Sequence, residues 1–596
     1  MTRIKHSNDN LASKVRTFYM MAFFMGILIV AFCLRWQVVE AQKFIEYAKS
    51  RSITSELKSY RGAIYSKDGT TLAYSEPRFN IYVWMDDLIL AETNGTQTRQ
   101  EFYNKMSAAI GQKPSDVQTV IENYYSQKIR WIPIAKDLTN TEYDKINALY
   151  RDTDPSRKLT GWDYEVTSKR IYPEGRLASQ LVGLTNEVNG KLTGVGGIEE
   201  HYDGLLNPRQ GFLTGEKDAI GQTVTMALQQ TIEPKNGSSV YTTIDKNLQK
   251  VIEQKLKEGV EQYKSISGSV VIEDPKTGSI MAMANYPDYD PNIRAEKDPQ
   301  AYGNSATLRP YEAGSIGKIM TLSTAVDMGI VNKDTVVLPN GHQGCETIHP
   351  DLPPLCTWDK LPVNGPMKAF ECFYKSDNIC FFHLAEMINR KDMYSYFAKF
   401  GVGSASGIDL GRTDSYGLWK DYTDWNIGDV AAFSFGHGYQ VNLVQAADYV
   451  STIANFGVRM KPRVVDKVVD SDGNVKDYKP IVVERAVTKE TSDKMVEMMN
   501  INFDFSTPEW YNKELFNDYY LGVKSGTALL VENGVYVDDI NASFVGFDAS
   551  PERTFVMTLW LEKPENQLSF YNSRPLWLDM FAAVKDIIGV PRKGTF

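Results

Sequence analysis

The stretch AGSIGKIMTLSTAVDMGI, residues 313–330, carries the most informative pattern in the sequence. Its apolar run, 319–330, predicts a helix whose first turn holds Ser315 and Lys318. Positions three apart share one face of a helix, so we expect the Lys318 amine within hydrogen-bond reach of the Ser315 hydroxyl. A serine hydroxyl is a weak nucleophile until a base removes its proton, and a lysine whose pKa is lowered by burial can act as that base. The helix N-terminus would also offer backbone N–H groups to a developing oxyanion.

Two further short motifs follow downstream. Ser376-Asp377-Asn378 begins 61 residues after Ser315, and Lys524-Ser525-Gly526-Thr527 begins 148 residues after that. The third motif follows an apolar start at 521–523 and is predicted to lie on a strand, where Gly526 would let a substrate backbone approach closely. Each motif alone arises often by chance. Together, in the order S-x-x-K, S-D-N and K-S-G (a hydroxyl swap of K-T-G), they form a specific signature of serine acyl-enzymes.

The segments around the motifs predict one α+β domain with an antiparallel sheet. Strands are predicted both before the first motif and near the C-terminus, with roughly 200 mostly helical residues between the two groups. The predicted strands are 240–243, 268–273, 279–284, 520–530, 542–547 and 554–561, and helices are predicted at 248–260 and 577–588.

An uncharged run of 18 residues, Thr17–Leu34, predicts a membrane-spanning helix. Four basic side chains precede it against one acidic side chain, so the positive-inside rule predicts a cytoplasmic N-terminus. A cleaved signal peptide is the alternative, but no small-x-small cleavage pattern follows Leu34. We therefore expect an uncleaved anchor over 17–36, followed by a helical stalk over 41–57.

Composition excludes several classes of function. The 596 residues hold 65 basic and 74 acidic side chains, a formal charge of −9, so there is no basic excess for nonspecific nucleic-acid binding. Six histidines make a His-rich metal cluster an unfavourable interpretation, and we predict no metal site and no cofactor.

Four of the five cysteines cluster within 36 residues on the predicted external side: Cys345, Cys356, Cys372 and Cys380. In an oxidising compartment, such a cluster indicates one or two disulfides, for which three pairings are possible. Free structural thiols are the alternative. The spacings of 10, 15 and 7 residues lack the C-x-x-C knuckle of a zinc site.

In these motifs and their contexts, the sequence resembles a class B penicillin-binding protein, a membrane-anchored peptidoglycan D,D-transpeptidase, over nearly its whole length. Arg61-Gly62-x-Ile64, Arg170-x-Tyr172-Pro173 and Gly194-x-Gly196-Gly197-Ile198-Glu199 resemble motifs of the family's non-catalytic pedestal. The resemblance implies an α+β fold with one N-terminal transmembrane helix, an elongated mixed α/β pedestal, and a transpeptidase domain built on a five-stranded antiparallel sheet flanked by helices. The predicted boundaries are 1–16 for a cytoplasmic tail, 17–36 for the anchor, 37–236 for the dimerisation-type pedestal and 237–596 for the transpeptidase domain.

The resemblance also implies a role for each catalytic residue. Ser315 would attack the penultimate D-alanine carbonyl of a stem peptide, with Lys318 as its base. Ser376 would relay a proton toward the leaving amine. Asn378 would bind the substrate amide, and Lys524 would supply positive potential near the substrate carboxylate.

Substrate binding is implied for the rest of the third motif, Ser525, Gly526 and Thr527. The Thr527 hydroxyl would bind the substrate carboxylate, and its N–H group, with that of Ser315, would form the oxyanion hole. The implied partners are peptidoglycan stem peptides, β-lactams as covalent inhibitors, a membrane glycosyltransferase and division proteins.

The resemblance places the protein in the bacterial cytoplasmic membrane as a single-pass protein with an extracytoplasmic catalytic domain. Residues 284–292 and the compact pedestal favour the septal, division-specific branch over the elongation-specific branch. The sequence departs from the family pattern at Ala313, at Gly317, at Asn207-Pro208 and in the loop 340–373.

Several alternatives stay open. A D,D-carboxypeptidase would use the same acylation with water as acceptor, and a β-lactam sensor or scaffold would not turn over. A class A β-lactamase is disfavoured because no glutamate lies between Glu386 and Glu484 to serve as deacylation base. His437 could be interpreted as a general base, but a structural loop residue is the favoured interpretation. The sequence leaves open the acceptor stem peptide, the disulfide connectivity, the β-lactam affinity and the oligomeric state.

Overall fold

The computed structural model describes residues 5–40, 52–154, 157–188, 191–216, 230–293, 299–410, 414–506, 516–532, 535–566 and 568–594. The chain divides into two compact units. The first comprises residues up to 59 together with 209–235, and the second comprises 60–208 together with 236–596.

The first unit begins with a long apolar helix, Lys5–Leu34, continued by a π-helical turn, Arg35–Val39. Within the described residues, Ser13–Val38 is long and apolar enough to cross a membrane, with a mean hydropathy of 2.3 and no burial by the rest of the chain. This helix fits the predicted transmembrane segment.

A three-stranded antiparallel sheet completes the first unit, formed by Ser52–Leu57, Gly211–Glu216 and Gln230–Ile232. The predicted helical stalk, 41–57, is therefore wrong over its last six residues, which pair with Gly211–Glu216. Its first part, 41–51, lies outside the described residues. The two adjacent β-branched residues of SITSEL, Ile53 and Thr54, suit a strand better than a helix.

The N-terminal part of the second unit is built on a seven-stranded sheet with a 14-residue central strand, Thr71–Trp84. That strand pairs antiparallel with both Trp131–Leu138 and Trp162–Ile171. The other strands of the sheet are Ile64–Tyr65, Ser239–Thr242, Val465–Val469 and Val475–Asp477. Four helices pack beside it: Met85–Thr93, Arg99–Ile110, Pro114–Ser126 and Asn140–Arg151.

Ser239–Thr242 corresponds to the predicted strand 240–243, but it lies in this sheet and not in the sheet that carries the motifs. It runs parallel to Ile64–Tyr65 and antiparallel to Val465–Val469. The short elements that follow the strand Trp162–Ile171 along the chain are Ser179–Val182, Leu184–Val188, Lys191–Val195, Gly197–His201 and Asp203–Leu206.

A second large sheet in the second unit has five antiparallel strands in the order β2-β1-β5-β4-β3. Its members in chain order are β1 (Ser267–Asp274), β2 (Ser279–Tyr286), β3 (Leu521–Glu532), β4 (Val535–Asp548) and β5 (Val556–Glu562). The α+β class is confirmed, and the predicted strands 268–273, 279–284, 520–530, 542–547 and 554–561 all fall on these five.

Helices cover both faces of this sheet because its strands are apolar on both sides. Val270 and Ile272 pack in one core with α1 (Lys246–Gln262) and the C-terminal helix Ser573–Ile588, whereas Val271 faces a second core. Side chains of a strand alternate between faces, so the apolar run Val270-Val271-Ile272 must be buried on both faces of the sheet.

The second core contains the helices between the two groups of strands. These are Ser305–Leu308, α2 (Lys318–Asp327), Ala369–Tyr374, α3 (Asn378–Glu386), Arg390–Phe400, Ile427–Ser434, Leu443–Ala454 and Lys489–Ser506. Helix α2 ends at Asp327, short of the predicted Ile330, because Gly329 takes a left-handed φ of 71°.

The cysteine cluster lies in a region of short strand pairs. One disulfide joins Cys345 to Cys356 across the pair Cys345–Glu346 and Leu355–Cys356, and a second joins Cys372 to Cys380. Of the three pairings that the sequence left open, the structure contains Cys345–Cys356 with Cys372–Cys380. The described Cys33 is free and exposed in the apolar helix.

Candidate functional site

Ser315 and Lys318 lie at the junction of a 3₁₀ turn, Gly314–Ile316, and helix α2. In a 3₁₀ turn the side chains at i and i+3 eclipse, which places Lys318 above Ser315. Lys318 Nζ lies 3.0 Å from Ser315 Oγ. The predicted proximity is present, although the serine precedes the α-helix and does not lie within it.

The second motif approaches Lys318 from another element. Ser376 takes a left-handed φ of 55° between the helix Ala369–Tyr374 and helix α3. Lys318 Nζ donates to Ser376 O at 2.6 Å and to Asn378 Oδ1 at 2.8 Å, and it lies 3.2 Å from Ser376 Oγ. One amine therefore joins the first two motifs.

The third motif lies on strand β3, as predicted. Lys524 Nζ donates to Ser376 Oγ at 2.9 Å and to the Ser525 carbonyl at 3.1 Å. Ser525 and Thr527 are half-buried, whereas Lys524 and Gly526 are buried. The Thr527 hydroxyl lies 2.7 Å from the Ser569 hydroxyl, which in turn donates to the Gly526 carbonyl.

The 3₁₀ turn packs directly on strand β3, and this contact depends on glycine. A Cβ on Gly314 would lie 2.6 Å from the Thr527 carbonyl oxygen, and one on Gly526 would lie 2.9 Å from the Ala313 carbonyl oxygen and would overlap Ser543 Oγ. Gly526 thus makes room for the serine turn itself, a different reason from the substrate approach that the sequence suggested.

Burial lowers the pKa of both active-site lysines, Lys318 and Lys524, and so favours their neutral forms. Lys318 is fully buried, and this burial, followed by the charge of Lys524, holds its pKa well below the usual range of a lysine, while Asp377 acts in the opposite direction. Burial lowers the pKa of Lys524 to about 7. A lysine amine that is neutral near pH 7 can take a proton from a serine hydroxyl.

His437 lies beside this site without joining it. Burial, with a contribution from the Lys318 charge, lowers its pKa to about 4, so the imidazole is neutral near pH 7. Its Nε2 lies 4.0 Å from Glu312 Oε2, and its buried Nδ1 has no hydrogen-bond partner among the described residues. Glu312 instead accepts from the Tyr536 hydroxyl at 3.0 Å and from Gly438 N–H at 2.9 Å.

Sequence reasoning missed the residues that brace the motifs from a distance. Ser569 contacts Thr527 from 42 residues away, Cys356 accepts a hydrogen bond from Asn378 from 22 residues away, and His342 contacts Asp377 from 35 residues away. No local spacing links these pairs, since each contact forms only when separate loops pack together. Within the described residues, no cluster of three or more His, Cys, Asp or Glu side chains could hold a metal ion.

Two protein families match this chain. Residues 268–579 match the family described as Penicillin binding protein transpeptidase domain, and residues 56–242 match the Penicillin-binding Protein dimerisation domain.

Named relatives share about a quarter of the sequence. The chain is 26% identical over 554 residues to the peptidoglycan D,D-transpeptidase FtsI of Escherichia coli (strain K12), covering 90% of this chain and 86% of the relative. It is 26% identical over 544 residues to the stage V sporulation protein D of Bacillus subtilis (strain 168), covering 90% of this chain and 79% of the relative.

The fold is shared with a solved structure. The crystal structure of penicillin binding protein 2X from Streptococcus thermophilus superposes with a TM-score of 0.75 at 22% identity, covering 90% of this chain and 81% of the other.

Proposed function

The chain belongs to the penicillin-binding protein transpeptidase family, and we propose that it is a peptidoglycan D,D-transpeptidase that crosslinks stem peptides through an acyl-enzyme on Ser315. One observation carries this proposal: Lys318 Nζ contacts Ser315, Ser376 and Asn378, while Lys524 Nζ reaches Ser376 from the sheet. All five catalytic candidates from the sequence thus meet around two buried amines.

Acylation follows from this geometry. Neutral Lys318 takes the proton of Ser315 Oγ, and the oxygen attacks the penultimate D-alanine carbonyl of a stem pentapeptide. The C–N bond to the terminal D-alanine then breaks, and its nitrogen takes up the proton that Lys318 removed from Ser315, relayed through the Ser376 hydroxyl, which lies beside both lysines. The products are a serine ester and free D-alanine, so atoms and charge balance.

The ester is then transferred. The amine of a neighbouring stem peptide attacks the same carbonyl and loses a proton to Lys318. Lys318 returns this proton to the Ser315 oxygen as the ester bond breaks, which leaves an amide crosslink and the free serine. The N–H groups of Ser315 and Thr527 stabilise the oxyanion in both steps, and Ser525 and Thr527 bind the substrate carboxylate from strand β3. A β-lactam carbonyl enters the same first step, but ring opening leaves the amine attached, so the ester persists.

The setting of this reaction is part of the proposal. The apolar helix Ser13–Val38 serves as the anchor in the bacterial cytoplasmic membrane, with the catalytic domain outside. The boundaries follow as a tail over 1–16, an anchor over 17–36, a pedestal over 37–236 and a transpeptidase domain over 237–596. A septal role, with a membrane glycosyltransferase and division proteins as partners, is supported by the likeness to FtsI.

The decisive experiment follows the fate of the acyl group. We expect the full-length protein, supplied with a lipid-linked precursor and a separate glycosyltransferase, to produce crosslinked muropeptides detectable by liquid chromatography and mass spectrometry. Ser315→Ala should produce none. A matched control is Ser279→Ala, which alters a described, half-buried serine that the mechanism does not use, and it is expected to retain crosslinking.

The products also separate the alternatives. Free D-alanine without crosslinks would identify a D,D-carboxypeptidase, because water would then be the acceptor. Binding of β-lactams without turnover of stem peptides would identify a sensor. Either result would overturn the transpeptidase proposal.

A further inference from the structure

The segment 341–357, here called the cysteine loop, lies against the second motif and is not used by the mechanism above. Its two ends are held together: Thr357 N–H donates to the Gly344 carbonyl at 2.9 Å, and the Cys345–Cys356 disulfide crosses the pair of short strands between them. Two groups of this loop, the His342 ring and the Cys356 carbonyl, contact the second motif.

His342 makes a buried and oriented contact with Asp377. Its Nε2 lies 2.6 Å from Asp377 Oδ2, and both side chains are buried. Gly344 N–H donates to His342 Nδ1 at 3.0 Å. Because a backbone N–H can only donate, Nδ1 must carry the lone pair, so Nε2 carries the proton and donates it to Asp377.

Asp377 transmits this contact to the catalytic residues on either side of it. Its other oxygen, Oδ1, accepts from Cys380 N–H at 2.9 Å and so caps helix α3, which begins at Asn378. Its own N–H donates to the Cys372 carbonyl at 3.0 Å, next to the left-handed Ser376. Both neighbours of Asp377, Ser376 and Asn378, accept hydrogen bonds from Lys318 Nζ. A rotation of Asp377 would therefore move two hydrogen-bond partners of the base at once.

The Cys356 carbonyl fixes the orientation of the Asn378 amide. It accepts from Asn378 Nδ2 at 3.2 Å, which leaves Asn378 Oδ1 facing Lys318 Nζ at 2.8 Å. The flipped amide would bring Oδ1 against the Cys356 carbonyl and a donor against the amine. The two disulfides hold the elements that carry these groups. One links Cys356 to Cys345 within the cysteine loop, and the other links the helix Ala369–Tyr374 to helix α3.

We propose that His342 is a positioning residue for acylation: through Asp377 it fixes Ser376 and Asn378 around Lys318, and the disulfide-closed cysteine loop is the rigid support of this contact. The inference rests on the proposed function, because it concerns the rate at which Ser315 is acylated. His342 touches neither the nucleophile nor the base, and it acts through Asp377 alone.

The test separates binding from acylation. Full-length variants are mixed with a fluorescent penicillin, and the dissociation constant and the acylation rate constant are obtained from the concentration dependence of labelling. For His342→Asn, whose short amide cannot reach Asp377 Oδ2, we expect the acylation rate constant to fall at least thirtyfold with a dissociation constant within threefold of wild type. For His342→Gln, whose Nε2 donor occupies nearly the position of the imidazole Nε2, we expect a rate constant within fivefold of wild type.

The controls use the same loop. His349→Gln alters an exposed histidine between the two cysteines and should leave both constants unchanged. Cys345→Ala combined with Cys356→Ala should reduce the acylation rate constant at least tenfold while the protein still labels at Ser315. This double variant keeps the inference testable if a His342 variant does not fold.

The outcomes are distinguishable. Equal rate constants for His342→Asn and wild type, or equal losses in His342→Asn and His342→Gln, would overturn the positioning role. An unlabelled wild type would overturn the proposed function and this inference with it, whereas a labelled wild type with an equally fast His342→Asn variant would overturn this inference alone.

Discussion

At the scale of single residues, the chemistry depends on the charge state of Lys318. Its side chain is fully buried, and its Nζ is within hydrogen-bond distance of three side chains and one carbonyl. The sequence could predict this pairing because Ser315 and Lys318 are three positions apart. It could not predict that His342 and Cys356 hold the second motif, because those contacts exist only in the folded chain.

The nearby Lys524 gives a pH prediction. After burial, its charge is the next cause of the lowered pKa of Lys318, so Lys524→Met should raise that pKa. Since the base must be neutral, the acid limb of acylation should move to higher pH. The rate at the optimum should also fall on the order of 10²-fold, because Ser376 loses one of its two lysine partners.

The measurement is the acylation rate constant across the neutral range, followed with a fluorescent penicillin. Lys524→Arg is the matched control, because it keeps a positive charge and should not move the limb to higher pH. If the acid limb of the Lys524→Met profile stays at the wild-type pH or moves to lower pH, the assignment of Lys318 as the base is refuted.

At the scale of elements, the site depends on close packing of the loop Ser434–Gly438 and the turn Gly314–Ile316. Gly314 N–H donates to the Gly436 carbonyl at 2.9 Å, and a Cβ on Gly436 would overlap the Gly314 carbonyl. Gly436 also takes a φ of 92°. The loop is therefore a second close contact of the serine turn, besides strand β3.

A pair of glycine variants separates packing from backbone strain. Gly436→Ala should slow acylation on the order of 10²-fold, because the serine turn must move relative to the lysine. Gly329→Ala has a similar φ of 71° but meets nothing within 4 Å. It should cost only about 1–2 kcal/mol of unfolding free energy and leave acylation unchanged. Equal acylation rates in the two variants would contradict the packing role.

Periodicity predicted the elements that are regular and buried. The strands of the five-stranded sheet and helix α2 were recognisable because they are long apolar runs with clear turns. The stalk prediction was wrong at Ser52–Leu57 because the partner strand, Gly211–Glu216, lies more than 150 residues away. For the same reason, Ser239–Thr242 was recognised as a strand but not as a member of the seven-stranded sheet.

At the scale of the whole molecule, a buried ion network joins the three pedestal motifs that the sequence analysis singled out. Glu199 Oε2 lies 2.7 Å from Arg61 Nε, and Glu199 Oε1 lies 2.7 Å from Arg170 Nε, with all three side chains almost fully buried. Arg170 also donates to the Gly62 carbonyl at 2.7 Å. Each of the three motifs, although far from the others in sequence, contributes one charged side chain to this network.

Removal of the central charge should destabilise the protein without altering the chemistry directly. Glu199→Gln takes the carboxylate away from the buried Arg170 and leaves Arg61 with that of Asp203, which should cost about 3–5 kcal/mol of unfolding free energy. The exposed pair Lys494–Glu490 is the control, and Glu490→Gln should change stability by less than about 1 kcal/mol. Denaturant unfolding of the two variants measures both values, and equal stabilities would contradict a structural role for the network.

The central claim, a covalent acyl-enzyme on Ser315, is tested most directly by the intact mass of the full-length protein after treatment with benzylpenicillin. The account predicts one adduct of the mass of the drug, located on the Ser315 peptide by digestion and absent from Ser315→Ala. No adduct on the wild type, or an adduct retained in Ser315→Ala, would contradict it.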